Sequence, residues 1–170
     1  IDTLAASMGQ GLMVHYAAKL RDAGRTAEET AAWIEEHKQN FVHLVTVDDL
    51  NHLYRGGRVS RTTALVGTML SMKPILVITP EGKLVADGKV RGRKKALTEL
   101  VDRMEQLIPG MENEIVMISH GDCIEDVKFV CDEIRSRFGI ENFLVNPLGA
   151  TVGAHAGPGT VALFFLGQHR

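Results

Sequence analysis

The sequence of 170 residues is poor in cysteine, in aromatic side chains and in long apolar runs. Its two cysteines, Cys123 and Cys131, fall eight residues apart in one expected helix. Two helical turns separate them by about 12 Å, which is too far for a disulfide. Neither has a CxxC partner, so we expect free thiols, no metal site and a reducing, cytoplasmic environment. No stretch approaches the apolar length of a transmembrane helix, which excludes an integral membrane segment.

The sequence also lacks an excess of positive charge, because its net charge is −2. Basic residues do cluster locally, at Lys89, Arg91, Arg93, Lys94 and Lys95. Such a run suits a phosphate, an acidic protein surface or nucleic acid, but is also typical of a solvated face. No aromatic side chains interleave with it to stack on bases. We therefore expect no nucleic-acid partner.

What is present is an ordinary globular composition, with 45% apolar and 24% charged residues. A chain of this length forms one domain, over residues 1–170, with a core of its own. It contains no internal repeat and no low-complexity linker. Because it begins with Ile1 and Asp2 instead of methionine, we expect it to be a piece of a longer protein.

The spacing of apolar residues and the turn signals predict helices alternating with strands. The expected helices run from Ser7 to Gly24, from the Thr26 cap to about Gln39, from Asp49 to Tyr54 after an Asp48 cap, from Ser60 or Arg61 to Ser71, from Lys94 to Ile108, and from Ile124 to Phe138 after an Asp122 cap. The expected strands are Phe41–Val47, Lys73–Thr79, Lys83–Val90, Ile115–Ile118, Phe143–Val145 and Val161–Leu166. A tight hairpin at Pro80-Glu-Gly82 interrupts the βαβ alternation. We expect an α/β fold with a mixed, largely antiparallel sheet of about six strands and helices mostly on one face.

A glycine-rich stretch from Gly149 to Thr160 precedes the last strand and contains one titratable side chain, His155. Glycines permit positive φ and close approach, and their exposed N–H groups form nests for phosphates or carboxylates. The alternative is a tight turn into a buried strand, with His155 merely hydrogen-bonded. By itself the stretch favours the turn.

Two further glycine motifs could hold an anion. In Tyr54-Arg-Gly-Gly-Arg-Val-Ser60, Arg58 lies just before an expected helix start, where an oxyanion is favoured. The alternative is a glycine cap with solvated arginines. In Ser7-Met-Gly-Gln-Gly11, Ser7 is either an N-cap or a donor to a ligand carboxylate. Gly9 and Gly11 lack the third glycine of a dinucleotide fingerprint.

Taken in order, these motifs resemble those of the DegV family of bacterial fatty-acid-binding proteins. The resemblance covers nearly all of the chain. The stretches that carry it are Asp2-Thr-Leu-Ala-Ala-Ser-Met-Gly-Gln-Gly-Leu12, Tyr54-Arg-Gly-Gly-Arg-Val-Ser60, Leu70-Ser-Met-Lys-Pro-Ile-Leu76, Val90-Arg-Gly-Arg-Lys-Lys-Ala96 and Gly153-Ala-His-Ala-Gly-Pro-Gly-Thr-Val-Ala162.

The resemblance implies that residues 1–170 are the C-terminal lipid-binding domain of a two-domain protein, without the family's N-terminal α/β domain. It implies a carrier and not an enzyme, with no cofactor. Such a carrier holds a long-chain fatty acid in an apolar tunnel and presents its carboxyl group to a partner fatty acid kinase, which makes acyl phosphate for phospholipid synthesis. The implied ligand-binding residues are Ser7, Gly9, Arg58, Gly153, His155 and Gly157, and the implied kinase-docking residues are Arg91, Arg93 and His155.

An enzyme acting on a phosphorylated small molecule is the alternative function. In that interpretation His155 is the acid or base, and Arg58, Arg91 and Arg93 form an oxyanion clamp. No carboxylate or second histidine lies in the glycine motifs to complete a catalytic set. The carrier is therefore the leading hypothesis.

Overall fold

The computed structural model describes residues 1–60 and 71–170 of the chain. The helices among these residues are α1 (Met8–Asp22), α2 (Ala27–His37), α3 (Leu50–Arg55), α4 (Arg93–Leu107), α5 (Ile124–Phe138) and α6 (Ala150–Ala156), with a 3-10 turn at Lys38–Asn40. The strands are β1 (Phe41–Thr46), β2 (Met72–Ile78), β3 (Leu84–Arg91), β4 (Val116–His120), β5 (Phe143–Pro147) and β6 (Val161–Leu166). The helix expected from Ser60 or Arg61 to Ser71 falls on residues 61–70, outside the described residues.

The six strands form one sheet in the order β3-β2-β1-β6-β4-β5. Only the β4–β5 pair is parallel, and the remaining neighbours are antiparallel. The expected α/β fold with a mixed, largely antiparallel six-stranded sheet is confirmed. The strand β6 lies at the centre of the sheet, which explains why all six of its residues are buried.

Alternating residues of the central strands supply two separate cores. Val42 and Leu44 of β1 share one face with Leu163 and Phe165 of β6, because these residues are register partners. The buried sides of α4 and α5 pack on that face. This larger core fixes α4 and α5 on one face of the sheet.

The opposite face carries α1 and α2, which pack on Phe41, Met117 and Phe164. The short helix α3 lies over Leu76 and the end of β1 on the same side, and α6 packs against α3. Four of the six described helices thus lie on this face and two on the other.

The helix ends differ in detail from the expected ones. The capping box of α2 is confirmed, since Thr26 and Glu29 each accept the backbone N–H of the other. Asp49 and not Asp48 caps α3, by accepting the N–H of Asn51. The cap position of α5 is Cys123 and not Asp122, whose own φ is 51°.

The stretch expected as a turn at 149–160 contains a helix, α6. Backbone bonds from the Gly153 N–H to the Gly149 carbonyl and from the Gly157 N–H to the Gly153 carbonyl, both 2.8 Å, close its turns. Among the described residues, no helix has the length and apolarity needed to cross a membrane.

Candidate functional site

A cavity of about 610 Å³ lies on the sheet face that carries α1, α3 and α6. Strands β1, β2, β3 and β6 form its floor, and α3 and α6 contribute to its wall. Most of the lining is apolar and includes Val45, Val47, Leu53, Leu76, Ile78, Leu84, Leu148, Val152, Ala162 and Phe164. The polar lining residues include Ser7, His43, Arg58 and His155. A mainly apolar pocket of this size with a few polar groups is typical of small-molecule sites.

Ser7 lines this cavity at the start of α1 and does not act as a hydrogen-bonding cap. Its side chain makes no cap bond, and its backbone has φ 54° and ψ −138°, an unusual conformation for serine. The Ser7 hydroxyl instead hydrogen-bonds the hydroxyl of Ser119 in β4 at 2.8 Å. Strained backbone of this kind is concentrated at functional sites. The 15-residue helix α1 begins directly after Ser7, so its positive dipole end lies at the same point.

His155 and Arg58 line the cavity from two adjacent segments. His155 lies in α6, and its ring packs so closely on Gly56 that a Cβ there would lie 2.1 Å from Nδ1. Arg58 is exposed, and its Nη1 donates to the Gly56 carbonyl at 2.8 Å. Gly56, which the sequence did not single out as a site residue, therefore holds both side chains at the cavity.

The three glycines expected as ligand-binding residues shape the site and are not among its described lining residues. Gly9 makes room for the ring of His43, because a Cβ there would lie 2.0 Å from Nε2. Gly153 lies within α6, and Gly157 ends this helix with φ 80°. Their expected role as direct ligand contacts stays a prediction.

His43 is a lining residue that the sequence analysis missed. His43 is only 2% exposed, and both of its ring nitrogens are buried. Its ring meets Phe164 edge to face at 5.3 Å between centroids. Burial, helped by the positive charge of Arg170, lowers the pKa of His43 to about 3, so the imidazole is neutral at physiological pH. A histidine among apolar residues in Phe41-Val-His-Leu-Val-Thr46 was the available signal.

Arg91 and Arg93 do not line the cavity. Arg93 lies at the start of α4, where its Nη2 contacts Asp126 at 2.7 Å and its Nη1 is 3.8 Å from Asp48. Arg91 is exposed at the end of β3. The structure therefore joins His155 with Arg58 but not with the other two arginines, which weakens the oxyanion clamp of the alternative enzyme. Among residues 1–60 and 71–170, no group of three or more His, Cys, Asp or Glu could hold a metal ion.

Comparison with known proteins identifies a family. The family model described as "Uncharacterised protein, DegV family" matches residues 1–168. The DegV domain-containing protein CPE0026 of Clostridium perfringens is 41% identical over 168 residues, which are 99% of this chain and 58% of that protein. The chain thus spans less than two thirds of the length of this relative.

Solved structures with a similar fold also come from this comparison. A Thermus thermophilus structure described as fatty acid binding of a DegV family protein has 33% identity and a TM-score of 0.84, covering 98% of this chain and 60% of that one. The Fatty Acid Kinase (Fak) B3 protein of Streptococcus pneumoniae, loaded with linoleic acid, has a TM-score of 0.88 over 98% of this chain and 58% of that one. At 21% identity the second likeness shows the fold alone.

Proposed function

We propose that this chain, which belongs to the DegV family, binds a long-chain fatty acid in the 610 Å³ cavity and presents the carboxyl group to a partner kinase. The observation that carries the proposal is the division of the cavity lining into a broad apolar floor and a few polar side chains. A long acyl chain matches such a lining, because each buried CH₂ group contributes about 0.8 kcal/mol.

The carboxylate needs donors, because burying an unpaired charge is costly. Ser7 offers a hydroxyl beside the positive end of α1, and the Ser119 hydroxyl can accept a hydrogen bond from it or donate one to it. His155 lines the same cavity, and Arg58 adds a positive charge at its exposed side. Ser7 and Arg58 can neutralise and orient a carboxylate while the tail lies on the sheet.

The chain acts, in this proposal, as the second domain of a longer carrier and supplies no catalytic group. The greater length of CPE0026 supports this arrangement, since the chain matches 58% of it. The exposed Arg91 gives an acidic kinase surface a point of attachment outside the cavity. Arg93 pairs with Asp126 and so keeps the start of α4 next to Arg91.

Native mass spectrometry of the purified chain tests the lipid proposal. We expect a co-purifying mass that matches a long-chain fatty acid, because each buried CH₂ group adds to the affinity. Ser7→Ala should weaken binding about 10- to 150-fold, since a hydrogen bond to a charged group contributes roughly 1.5–3 kcal/mol and each 1.4 kcal/mol is a factor of ten. Ser136→Ala, an exposed serine of α5, is the matched control and should leave binding unchanged. Intact protein that never binds a fatty acid would refute the proposal.

The kinase role is tested by adding a fatty acid kinase and following acyl-phosphate formation. We expect Arg91→Ala and His155→Ala to lower the rate while the bound lipid is retained. Arg21→Ala, which removes an exposed arginine paired with Asp22 on α1, is the control and should have no effect. Loss of lipid in the His155 variant would make that residue a carboxylate ligand, and unchanged rates in both variants would exclude docking through them.

A further inference from the structure

The two edges of the sheet differ in how they are protected against pairing with another chain. Strand β3 forms one edge, where Asp87, Lys89 and Arg91 are exposed and a register shift interrupts the pairing with β2. Charged side chains and irregularities of this kind protect an edge strand. Strand β5 forms the other edge as Phe143-Leu-Val-Asn-Pro147, without a charged side chain. In the described part of the chain, its outer side pairs with no strand.

The backbone groups on the outer side of β5 follow from its pairing with β4. The carbonyl of Asn142, directly before β5, accepts the N–H of Val116 at 3.0 Å. Backbone groups alternate in direction along a strand, so the even-numbered residues of β5 bond to β4. The N–H and C=O groups of Phe143 and Val145 therefore face outward. Pro147 also presents its C=O there, but it has no N–H to donate.

A second copy of the chain, related by a twofold axis at Val145, matches these outward groups. The two Val145 residues then form a hydrogen-bonded antiparallel pair, which exchanges both N–H···O=C bonds. Each Phe143 lies opposite Pro147 of the second copy and donates its N–H to that carbonyl. The missing N–H of Pro147 leaves only the Phe143 carbonyl unpaired, at the end of the ladder where water reaches it. A contact of this kind is self-complementary, as a twofold interface requires.

A groove of about 350 Å³ runs beside β5, between this strand and α5. Toward one end of the groove, the guanidinium of Arg135 lies over the Phe143 ring at 4.9 Å. Toward the other end, the exposed side chain of Ile124 lines the groove together with Val145. Helix α5 therefore runs antiparallel to β5. The twofold axis places the two copies of α5 side by side in opposite directions.

Charge complementarity across this axis identifies a second copy as the occupant of the edge. Lys128 and Asp132 line the middle of the groove one helical turn apart, and their side chains are 62% and 73% exposed. Because the two helices run in opposite directions, Lys128 of each copy lies opposite Asp132 of the other. We propose that β5 and α5 form a self-association surface, through which two copies of this chain join their sheets into one.

Sedimentation velocity over a dilution series measures the dissociation constant of the dimer. We expect a monomer–dimer equilibrium for the wild type. Lys128→Asp and Asp132→Lys should each raise the dissociation constant about tenfold, because each turns two symmetry-related attractions into repulsions. An equimolar mixture of the two variants should associate as the wild type does, since opposite charges then face each other again. Lys89→Asp makes the same charge change at the opposite edge of the sheet and is the control that should change nothing.

Val145→Pro tests the backbone pairing independently of charge. It removes an N–H that faces away from β4, and proline is tolerated on edge strands, so the fold should persist while the dimer is lost. Val145→Thr keeps the N–H and should keep the dimer. Fatty-acid binding should be the same in all of these variants, because the cavity floor is formed by β1, β2, β3 and β6.

The mixture of Lys128→Asp with Asp132→Lys does not depend on how well Val145→Pro folds. A wild-type chain that stays monomeric throughout the dilution series would overturn the proposal, and so would a mixture that fails to associate. A folded Val145→Pro variant that dimerises as the wild type does would exclude pairing through β5. Pairing of β5 with a strand of a different protein, in place of a second copy, would also contradict self-association.

Discussion

Two glycines set the positions of the two histidines at the cavity. A Cβ at Gly9 would meet Nε2 of His43, and a Cβ at Gly56 would meet Nδ1 of His155. Each glycine therefore contributes by having no side chain, and neither has the positive φ that would otherwise explain its presence. Gly9 and Gly56 thus determine where the imidazoles of His43 and His155 lie in an otherwise apolar site.

Gly9→Ala should destabilise the protein by about 1–3 kcal/mol, because the new methyl group overpacks against a fixed ring. Its Cβ would lie 2.0 Å from Nε2 and 2.3 Å from Cδ2 of His43, and 3.1 Å from Phe164. Urea unfolding followed by circular dichroism measures the change.

Gly11→Ala is the matched control for that substitution, in the same helix. Its nearest neighbour would be Sδ of Met8 at 3.5 Å, an ordinary contact. Alanine is favoured over glycine within a helix by up to about 1 kcal/mol, so this variant should be as stable as the wild type or more stable. Equal effects of the two substitutions would show that His43 does not press on α1.

At the level of elements, the short helix α6 carries His155 and depends on the residue that ends it. Gly157→Ala should cost about 2 kcal/mol or more, since a non-glycine residue pays roughly 1–2 kcal/mol for positive φ. Its φ is 80°, and a Cβ would lie 2.5 Å from Cδ2 of His52. We expect a lower urea midpoint together with slower acyl-phosphate formation when a fatty acid kinase is added, because His155 moves with the helix.

Gly153→Ala in the middle of α6 provides the comparison. Its nearest atom would be Cβ of Leu148 at 3.8 Å, and the position is helical, so the substitution should be neutral or stabilising. If Gly153→Ala lowers binding without lowering stability, then Gly153 contacts the ligand directly, as the sequence resemblance implied.

Most elements could be predicted from the sequence because their signals are local. The apolar spacing of Leu97, Leu100, Val101 and Met104 determines the face of α4, and the Thr26–Glu29 box determines the start of α2. Helix α6 could not be predicted in this way. It contains an internal glycine and Thr151 and Val152, which individually disfavour helix, and its contact with α3 stabilises it.

The site was also predicted only where its residues lie in local motifs. Ser7, Arg58 and His155 lie in motifs that can be recognised along the chain, and all three line the cavity. The roles of His43 and Ser119 depend on which strand neighbours which and in what register, and on the contact of β1 with α1. These are non-local facts that no short stretch of sequence contains.

At the scale of the whole molecule, Arg170 joins distant segments around strand β1. Its guanidinium donates to the backbone carbonyls of Thr3, Leu4, Lys38 and Phe41 at 2.8–3.2 Å. Its positive charge is also the second cause, after burial, of the low pKa of His43. The stability of the fold and the protonation of His43 are thereby linked.

This link predicts how global stability depends on pH. In the unfolded chain His43 titrates near 6.5, whereas in the folded protein its pKa is about 3. Between these values the unfolded state binds the extra proton, so the free energy of unfolding falls as the pH is lowered and recovers as it rises. The contribution of His43 should decrease by about 2 kcal/mol between pH 7 and pH 5, at 1.36 kcal/mol per pKa unit.

Other groups also titrate in this pH range. The effect of His43 is therefore measured as the difference in unfolding free energy between the wild type and His43→Leu. Urea unfolding of the wild type and of His43→Leu at pH 7, 6 and 5 gives two curves, and their separation isolates the histidine. We expect the wild type to lose stability more steeply on acidification than the variant, since leucine has no proton to bind. Parallel curves would mean that the pKa of His43 is the same in both states, and burial would then not lower it.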